Sequence, residues 1–157
     1  RYIQENYEVP EHVLPASDKR KAAEVAQWIA WNQNTHRPIW LDIFKMHYAN
    51  LKMDLKPTEE ARKDAYDKLH EVLDKLNSYL RKTEGDFITG TEWNLADIAI
   101  WSEVSVHPIT GIDLAKWENV HRHHEAVRAI PEVAKMCEEF DLQFEGFAGA
   151  LKGKEII

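Results

Sequence analysis

Cysteine is almost absent from this sequence of 157 residues: Cys137 stands alone, so the chain cannot form an internal disulfide bond. A single thiol is typical of proteins that fold in a reducing compartment, and we expect a cytoplasmic protein. Long apolar runs are also absent, since none reaches the roughly 20 residues that a membrane-spanning helix needs. No signal-peptide pattern is visible. These absences predict a protein without a membrane partner.

Positive charge is scarce as well. The sequence has 20 Lys and Arg against 27 Asp and Glu, which gives a net charge of −7 and a pI of about 5.6. Such an acidic chain is unsuited to the phosphate backbone of DNA or RNA, and we expect no nucleic-acid partner. With 44% hydrophobic residues, the chain is long enough for one domain with a sizeable core.

The period-two alternation of a half-buried strand is missing along the whole sequence. Apolar residues instead recur at helical spacing, and Pro or Gly residues separate the segments. Pro38 falls inside the first segment and should kink or split it. The predicted class is all-α, a bundle of about five helices at about 18–49, 57–80, 95–106, 114–127 and 131–140.

The stretch 93–101 predicts a helix at the centre of the bundle, because it is apolar on nearly every side. Asn94 is a good N-cap, and Asp97 stands three residues later, where its carboxylate can reach the cap residue's own N–H. Trp93 and Ile98 occupy the two positions of a hydrophobic staple. Asn94 and Asp97 are therefore predicted to be structural residues that fix the start of this helix.

A polar segment, 32–37, interrupts the aromatic and apolar residues of the first helix. Two interpretations are open. Polar side chains within a buried stripe need partners and often line a cleft, whereas an arc that faces solvent needs none. Periodicity alone slightly favours the solvent-facing arc.

Residues that could carry chemistry are few. His121, His123 and His124 form the only dense group of potential metal ligands, and apart from Glu125 no carboxylate or cysteine pair accompanies them at a diagnostic spacing. A solvated or partly packed helix face is the favoured interpretation, and we expect no metal. The sequence defines no catalytic triad and contains no glycine-rich phosphate loop. The residues alone therefore predict a helical domain with a candidate polar cleft.

Four blocks of the sequence nevertheless form a recognisable series. Val9-Pro10 stands in a linker, Ala30-Trp31 precedes a polar run that ends in Arg37, the capping box continues through 94–103, and His107-Pro108 follows. In this order, the blocks resemble the C-terminal helical domain of cytosolic glutathione S-transferases, and the theta class best. The resemblance implies that family's helical fold, with its capping box before a buried central helix.

The resemblance also implies a division of the chain. Residues 1–8 would be the last turns of a thioredoxin-like domain that is otherwise missing, and 9–17 would be its linker. Residues 18–142 would form the helical C-terminal domain, and 143–157 a C-terminal tail.

The family's activity gives further expectations. The resemblance implies a homodimeric detoxification enzyme that transfers the thiol of glutathione, a co-substrate, to small hydrophobic electrophiles, with no other cofactor. The main activating hydroxyl, a serine in the theta class, would lie in the missing domain, so this chain alone is expected to be inactive. Arg37 matches the theta-class arginine near the sulfur, where a guanidinium favours the thiolate. Asn34 would face glutathione across the dimer, and the electrophile pocket would be lined by Gln33, His36, Trp40, Leu41 and Phe44.

Two alternatives stay open. Pro38 directly follows Arg37, and a backbone kink could aim the guanidinium elsewhere, which would make Arg37 an ordinary surface or ion-paired residue. The chain could also be part of a non-catalytic module with a transferase-like fold, used for dimerisation or for docking in a larger assembly. Such a module would keep the capping box for folding and lose the thiol site.

Overall fold

A computed structural model describes residues 6–53 and 55–138 of the chain. Most of the described residues belong to five helices of ten or more residues each. A further helical segment covers residues 131–138. No strand occurs in these residues, where the only bridge joins Phe87 to Gly90. The all-α prediction is confirmed. The helices are α1 (Lys19–Trp31), α2 (Arg37–Met53), α3 (Glu59–Leu80), α4 (Leu95–Val104), the single turn α5 (His107–Thr110) and α6 (Glu118–Arg128).

The break predicted at Pro38 takes the form of a π-helical turn, Asn32–His36, which connects α1 to α2. The Arg37 N–H donates to the Asn32 carbonyl, five residues earlier, as a π turn requires. Pro38 has no N–H to donate, and its ring would collide with the carbonyl four residues earlier in a regular helix. The wider turn shifts that carbonyl away from the ring, so the chain stays helical through the proline.

Helix α4 lies in the middle of the bundle, as the sequence predicts. It contacts α1, α2, the π turn and α6, while α3 packs against α2 and α6. Burying a leucine or isoleucine side chain contributes about 1.5–3 kcal/mol, so this shared core is the main source of stability. The core residues of α4 and α3 that are buried from solvent include Ala96, Ile100, Val104, Leu69, Leu73, Leu76 and Leu80.

The start of α4 is held by two side chains and by the turn before it. Asn94 Oδ1 accepts the Ala96 N–H at 2.9 Å, and Asp97 Oδ2 accepts the Asn94 N–H at 2.9 Å, so the capping box is present. Asp97 Oδ1 also accepts the Ile88 N–H at 2.6 Å. Gly90 completes the turn at a φ of 129°, which residues with a Cβ rarely adopt. One carboxylate therefore joins the turn to the helix.

The Asp97 carboxylate has a third partner, which comes from α6. His123 Nε2 lies 2.9 Å from Asp97 Oδ1, and both side chains are almost inaccessible to solvent. Of the two forms expected for the histidine group, a solvated or a partly packed helix face, the structure shows the partly packed one, with His121 exposed and His123 buried. His123 stands at helical spacing between Val120 and Val127, which are both fully buried. It therefore belongs to the apolar stripe of α6.

Some expectations lie outside the described residues, namely those for 1–5 and for the tail 143–157. The division of the chain into a domain remnant, linker, helical domain and tail stays a prediction. In the part of the chain that the structure describes, no helix has the length and apolar character needed to cross a bilayer.

We predict that Asp97→Ala lowers the free energy of unfolding by about 3–5 kcal/mol, because it leaves a buried imidazole and two buried N–H groups without their acceptor. Urea denaturation followed by circular dichroism measures this loss. Asp86→Ala is the matched control: Asp86 pairs with Arg122 at 3.4 Å on the surface, and its loss should cost less than about 0.5 kcal/mol. Equal effects of the two substitutions would contradict the assignment of Asp97 as a buried junction.

Candidate functional site

The π turn sorts the polar segment into two sets. Asn32 and His36 are buried, whereas Gln33, Asn34 and Thr35 are exposed. The solvent-facing arc considered from the sequence therefore describes only Gln33, Asn34 and Thr35. The exposed set forms a solvent-facing arc, and the buried pair, four residues apart, needs partners within the protein.

Those partners form a continuous chain of hydrogen bonds. The indole Nε1–H of Trp40 donates to His36 Nε2 at 2.7 Å. Because Nε2 accepts, the proton of a neutral His36 is on Nδ1, which donates to Asn32 Oδ1 at 2.8 Å. The Asn32 amide then donates to the Ala99 carbonyl at 3.1 Å. The chain ties the π turn to the central helix α4 and satisfies every buried polar atom along it.

His36 is neutral in this environment. Burial lowers its pKa to about 3, and the positive charge that His123 can carry acts in the same direction. The ring also stacks on Trp31, with 5.2 Å between the ring centroids and 16° between the planes. His36 is therefore unsuited to proton transfer near neutral pH.

Two of the residues expected to line the electrophile pocket, His36 and Trp40, belong to this buried chain of hydrogen bonds. His36 is 0% exposed and Trp40 is 1% exposed, so neither side chain reaches a surface that a substrate could touch. Asn32, His36 and Trp40 recur every four residues, which places them on one buried face of this helical segment, where they hydrogen-bond to one another. In this structure, His36 and Trp40 support the exposed part of the segment from within the core.

Arg37 follows the π turn directly and pairs with the central helix. Its Nη1 lies 2.7 Å from Glu103 Oε1, and the side chains are 51% and 13% exposed, respectively. Burial raises the pKa of Glu103, and the guanidinium of Arg37 offsets part of that rise. No other group engages Arg37 among the residues that the structure describes. Arg37 is thus ion-paired in this structure, with half of its side chain still open to solvent.

An apolar strip continues from Arg37 along the same face of α2. Leu41, Phe44 and Tyr48 follow Arg37 at intervals of four, three and four residues, which places them on one face of a helix. Leu41 is 39% exposed and Tyr48 is 45% exposed, and the Phe44 ring stacks on Tyr48 with 6.3 Å between centroids. Exposed aromatic and aliphatic side chains next to a cation are suited to an apolar ligand that carries or develops negative charge.

The remaining two predicted residues lie at the start of this face. Gln33 is exposed, and its side chain is available to solvent. Asn34 is also exposed, but its amide donates to the Ala30 carbonyl of its own helix at 2.8 Å. The structure thus places Arg37, Leu41 and Phe44 on one face of α2, with Gln33 and Asn34 in the π turn that precedes it.

Three residues of this site are missing from the candidates proposed from the sequence. Tyr48 extends the apolar strip, and its position four residues after Phe44 was a usable signal. Asn32 supports the π turn, and its spacing of four residues from His36 was likewise visible. Glu103 carries no such signal, because nothing in the sequence pairs residue 103 with Arg37. In the part of the chain described by the structure, no three His, Cys, Asp or Glu side chains are placed to hold a metal ion.

Comparison with known proteins gives a consistent result. The model of the glutathione S-transferase C-terminal domain family matches residues 40–139. Glutathione S-transferase D7 of Drosophila melanogaster is 29% identical over 122 residues, which cover 77% of this chain and 50% of that protein. The chain thus spans about half the length of this curated relative.

Solved structures agree on the fold. A delta-class glutathione transferase of Nilaparvata lugens superposes with a TM-score of 0.72 at 25% identity, covering 96% of this chain and 65% of that one. A glutathione S-transferase of Pseudomonas fluorescens superposes with a TM-score of 0.65 at 23% identity, over 83% of this chain and 60% of that one. The second likeness, at lower identity, supports the fold alone.

We predict that stability falls as the pH drops from about 6.5 towards 3, because the unfolded chain binds a proton at His36 that the folded chain excludes. His36 alone changes the free energy of unfolding by at most about 1.4 kcal/mol per pH unit. This change disappears above the pKa that His36 has in the unfolded chain. His47, His107 and His124 have lowered pKa values and add to the slope in the same direction.

The measurement is urea denaturation of the wild type and of His36→Gln at pH 7.5, 6.0 and 5.0. The expected result is a shallower pH dependence in the variant, whatever its stability at pH 7.5. Parallel pH dependences would contradict the assignment of a low pKa to His36.

Proposed function

This chain belongs to the glutathione S-transferase C-terminal domain family, and from that premise we propose that it is the helical half of a glutathione transferase. The complete enzyme would join the sulfur of glutathione to an electrophilic carbon. The thiolate attacks that carbon, a C–S bond forms, and the bond to the leaving group breaks with its electron pair. The thiol proton passes to a base or to solvent.

The observation that carries the proposal is the position of Arg37 at the end of an apolar strip. A guanidinium beside a thiol stabilises the thiolate, which is the reacting form, and it stays charged at every working pH. Leu41, Phe44 and Tyr48 would bind the hydrophobic part of the electrophile next to it. Binding of glutathione itself, and the hydroxyl that activates it, are proposed to come from a further domain, because the curated relative is about twice as long.

Glu103 sets the direction of the guanidinium in this proposal. Its carboxylate is largely buried on the central helix and binds one edge of Arg37 through Nη1. The opposite edge of the planar guanidinium can then face a ligand, since Arg carries five N–H donors. The negative charge of the Glu103 carboxylate also weakens the attraction between the guanidinium and a thiolate.

The class and assembly of the enzyme are part of the same proposal. The sequence motifs favour the theta class, whereas one of the similar solved structures is a delta-class enzyme. We propose a theta-like or delta-like enzyme that acts as a homodimer in the cytoplasm and conjugates small hydrophobic electrophiles in detoxification. Asn34 retains its proposed role opposite glutathione of the partner subunit, and Gln33 its proposed role in the electrophile pocket.

A second candidate function is a non-catalytic module for dimerisation or docking. The ion pair between Arg37 and Glu103 favours it, because a carboxylate at 2.7 Å already occupies the cation that the enzyme would use. The two candidates differ in a measurable way, since only the enzyme needs the charge of Arg37.

We predict that Arg37→Ala in the full-length protein lowers kcat/KM for 4-nitrobenzyl chloride by about tenfold, which equals about 1.4 kcal/mol of transition-state stabilisation. The apparent thiol pKa in the pH profile of kcat/KM should rise, because the stabilising charge is gone. Product formation measured by absorbance across pH 6–9 gives both quantities. The thermal midpoint should fall as well, because the Glu103 carboxylate, which is 13% exposed, loses its cation. Activity is therefore measured at a temperature at which the variant stays folded.

The matched control is Glu103→Gln, which breaks the same ion pair and keeps the guanidinium. It should retain or increase kcat/KM, because the amide oxygen of the glutamine can still accept from Arg37 and hold its direction, while the competing negative charge is gone. Equal losses in the two variants would show that the pair is only structural, and unchanged kcat/KM in Arg37→Ala would support the non-catalytic module.

A further inference from the structure

A groove of about 360 Å³ lies on a part of the domain that the proposed function does not use. One wall is the first half of α3, and the other is the segment 110–117, which connects α5 to α6. None of its lining residues belongs to the face of α2 that carries Arg37. The volume is at the lower end of the range for small-molecule sites, enough for two fused rings and too small for a folded partner.

Aromatic rings line this groove, and the Tyr66 hydroxyl and the Trp117 indole N–H already have hydrogen-bond partners. The Tyr66 hydroxyl donates to the Thr110 carbonyl at 2.7 Å and lies 2.8 Å from His47 Nε2. The Trp117 indole donates to Asp74 at 2.7 Å, and the His70 ring lies 5.3 Å from the Trp117 ring. The rings are thereby held in place, and what they offer a ligand is aromatic surface.

One cation stands inside the groove. Arg62 is partly buried on α3, and its positive charge acts on the Tyr66 phenol, one turn further along the helix. Arg62 makes no ion pair or side-chain hydrogen bond within residues 6–53 and 55–138. An unpaired, partly desolvated guanidinium beside aromatic rings is suited to a carboxylate, which it can bind through two parallel N–H groups.

The other charges of the groove lie at its exposed rim. Lys63 pairs with Asp67, which lies outside the groove, and the Asp113 carboxylate accepts the Ala115 N–H at 3.0 Å. Glu59 and Lys116 are exposed and oppose each other in sign. The positive and negative charges at the rim therefore nearly cancel, although the whole chain carries a net charge of −7. Arg62 is then the charge that selects a ligand in the groove.

We propose that this groove binds a small planar aromatic carboxylate, with the rings against Tyr66, His70 and Trp117 and the carboxylate on Arg62. The proposal does not depend on glutathione transfer, because the two faces share no residue. A neutral ligand of the same shape would leave Arg62 partly buried without a counter-charge, so the groove should discriminate by charge.

The test is isothermal titration calorimetry of the purified protein with 2-naphthoate and with its neutral isostere, 2-naphthamide, at low ionic strength. We expect 2-naphthoate to bind at least about tenfold more tightly than the amide, since charge-assisted hydrogen bonds exceed 1.4 kcal/mol. Arg62→Gln should weaken 2-naphthoate binding by about tenfold, and Lys116→Gln at the rim by only about two- to threefold. In NMR spectra, the Gly111 amide signal should shift during the titration, because Gly111 lines the groove.

Lys75→Gln is the matched control, because Lys75 lies on the same helix and pairs with Glu71 away from the groove. It should leave the affinity for 2-naphthoate within about twofold, since exposed charges at a distance are screened. The proposal is overturned if 2-naphthoate does not bind, if the acid and the amide bind equally, or if Arg62→Gln behaves like Lys75→Gln. Each variant is checked by circular dichroism, and a misfolded Arg62→Gln is replaced by Arg62→Lys, which should weaken binding less than Gln but more than the control.

Discussion

The buried carboxylate of Asp97 is the interaction on which the rest of this domain depends. It binds the backbone N–H of the cap residue, the N–H of Ile88 in the preceding turn and the imidazole of His123 in α6. Three separate parts of the chain are thereby fixed at the first turn of the central helix. A carboxylate is tolerated in this core because every partner is a donor.

From that fixed helix, two contacts determine the candidate site. The Ala99 carbonyl receives the amide of Asn32, which anchors the π turn, and the Glu103 carboxylate binds Arg37 at the start of α2. Both contacts extend from α4 to the segment that carries the exposed polar and apolar residues. The location of the site is thus a consequence of how the central helix is capped and packed, and its electrostatics follow from one partly buried carboxylate.

The sequence predicted the helical class, the central helix and its capping box, because these depend on local spacing and on short-range hydrogen bonds. The burial of His36 and Trp40 was not predicted, because the exact phase of the helical face at this position depends on the π turn, which local spacing does not reveal. The pairing of Arg37 with Glu103 was equally inaccessible, because the two residues are 66 positions apart and meet only after α4 packs against α2. The burial of His36 and Trp40 thus involves local contacts four residues apart, whereas the ion pair of Arg37 is a long-range contact.

The central claim is that this domain completes a site for glutathione. Retention of the full-length protein on glutathione-agarose tests it most directly, with elution by free glutathione as the measurement of specificity. We expect the folded protein to be retained and to be released by free glutathione. A correctly folded protein that passes through the column would contradict the claim and favour the non-catalytic module.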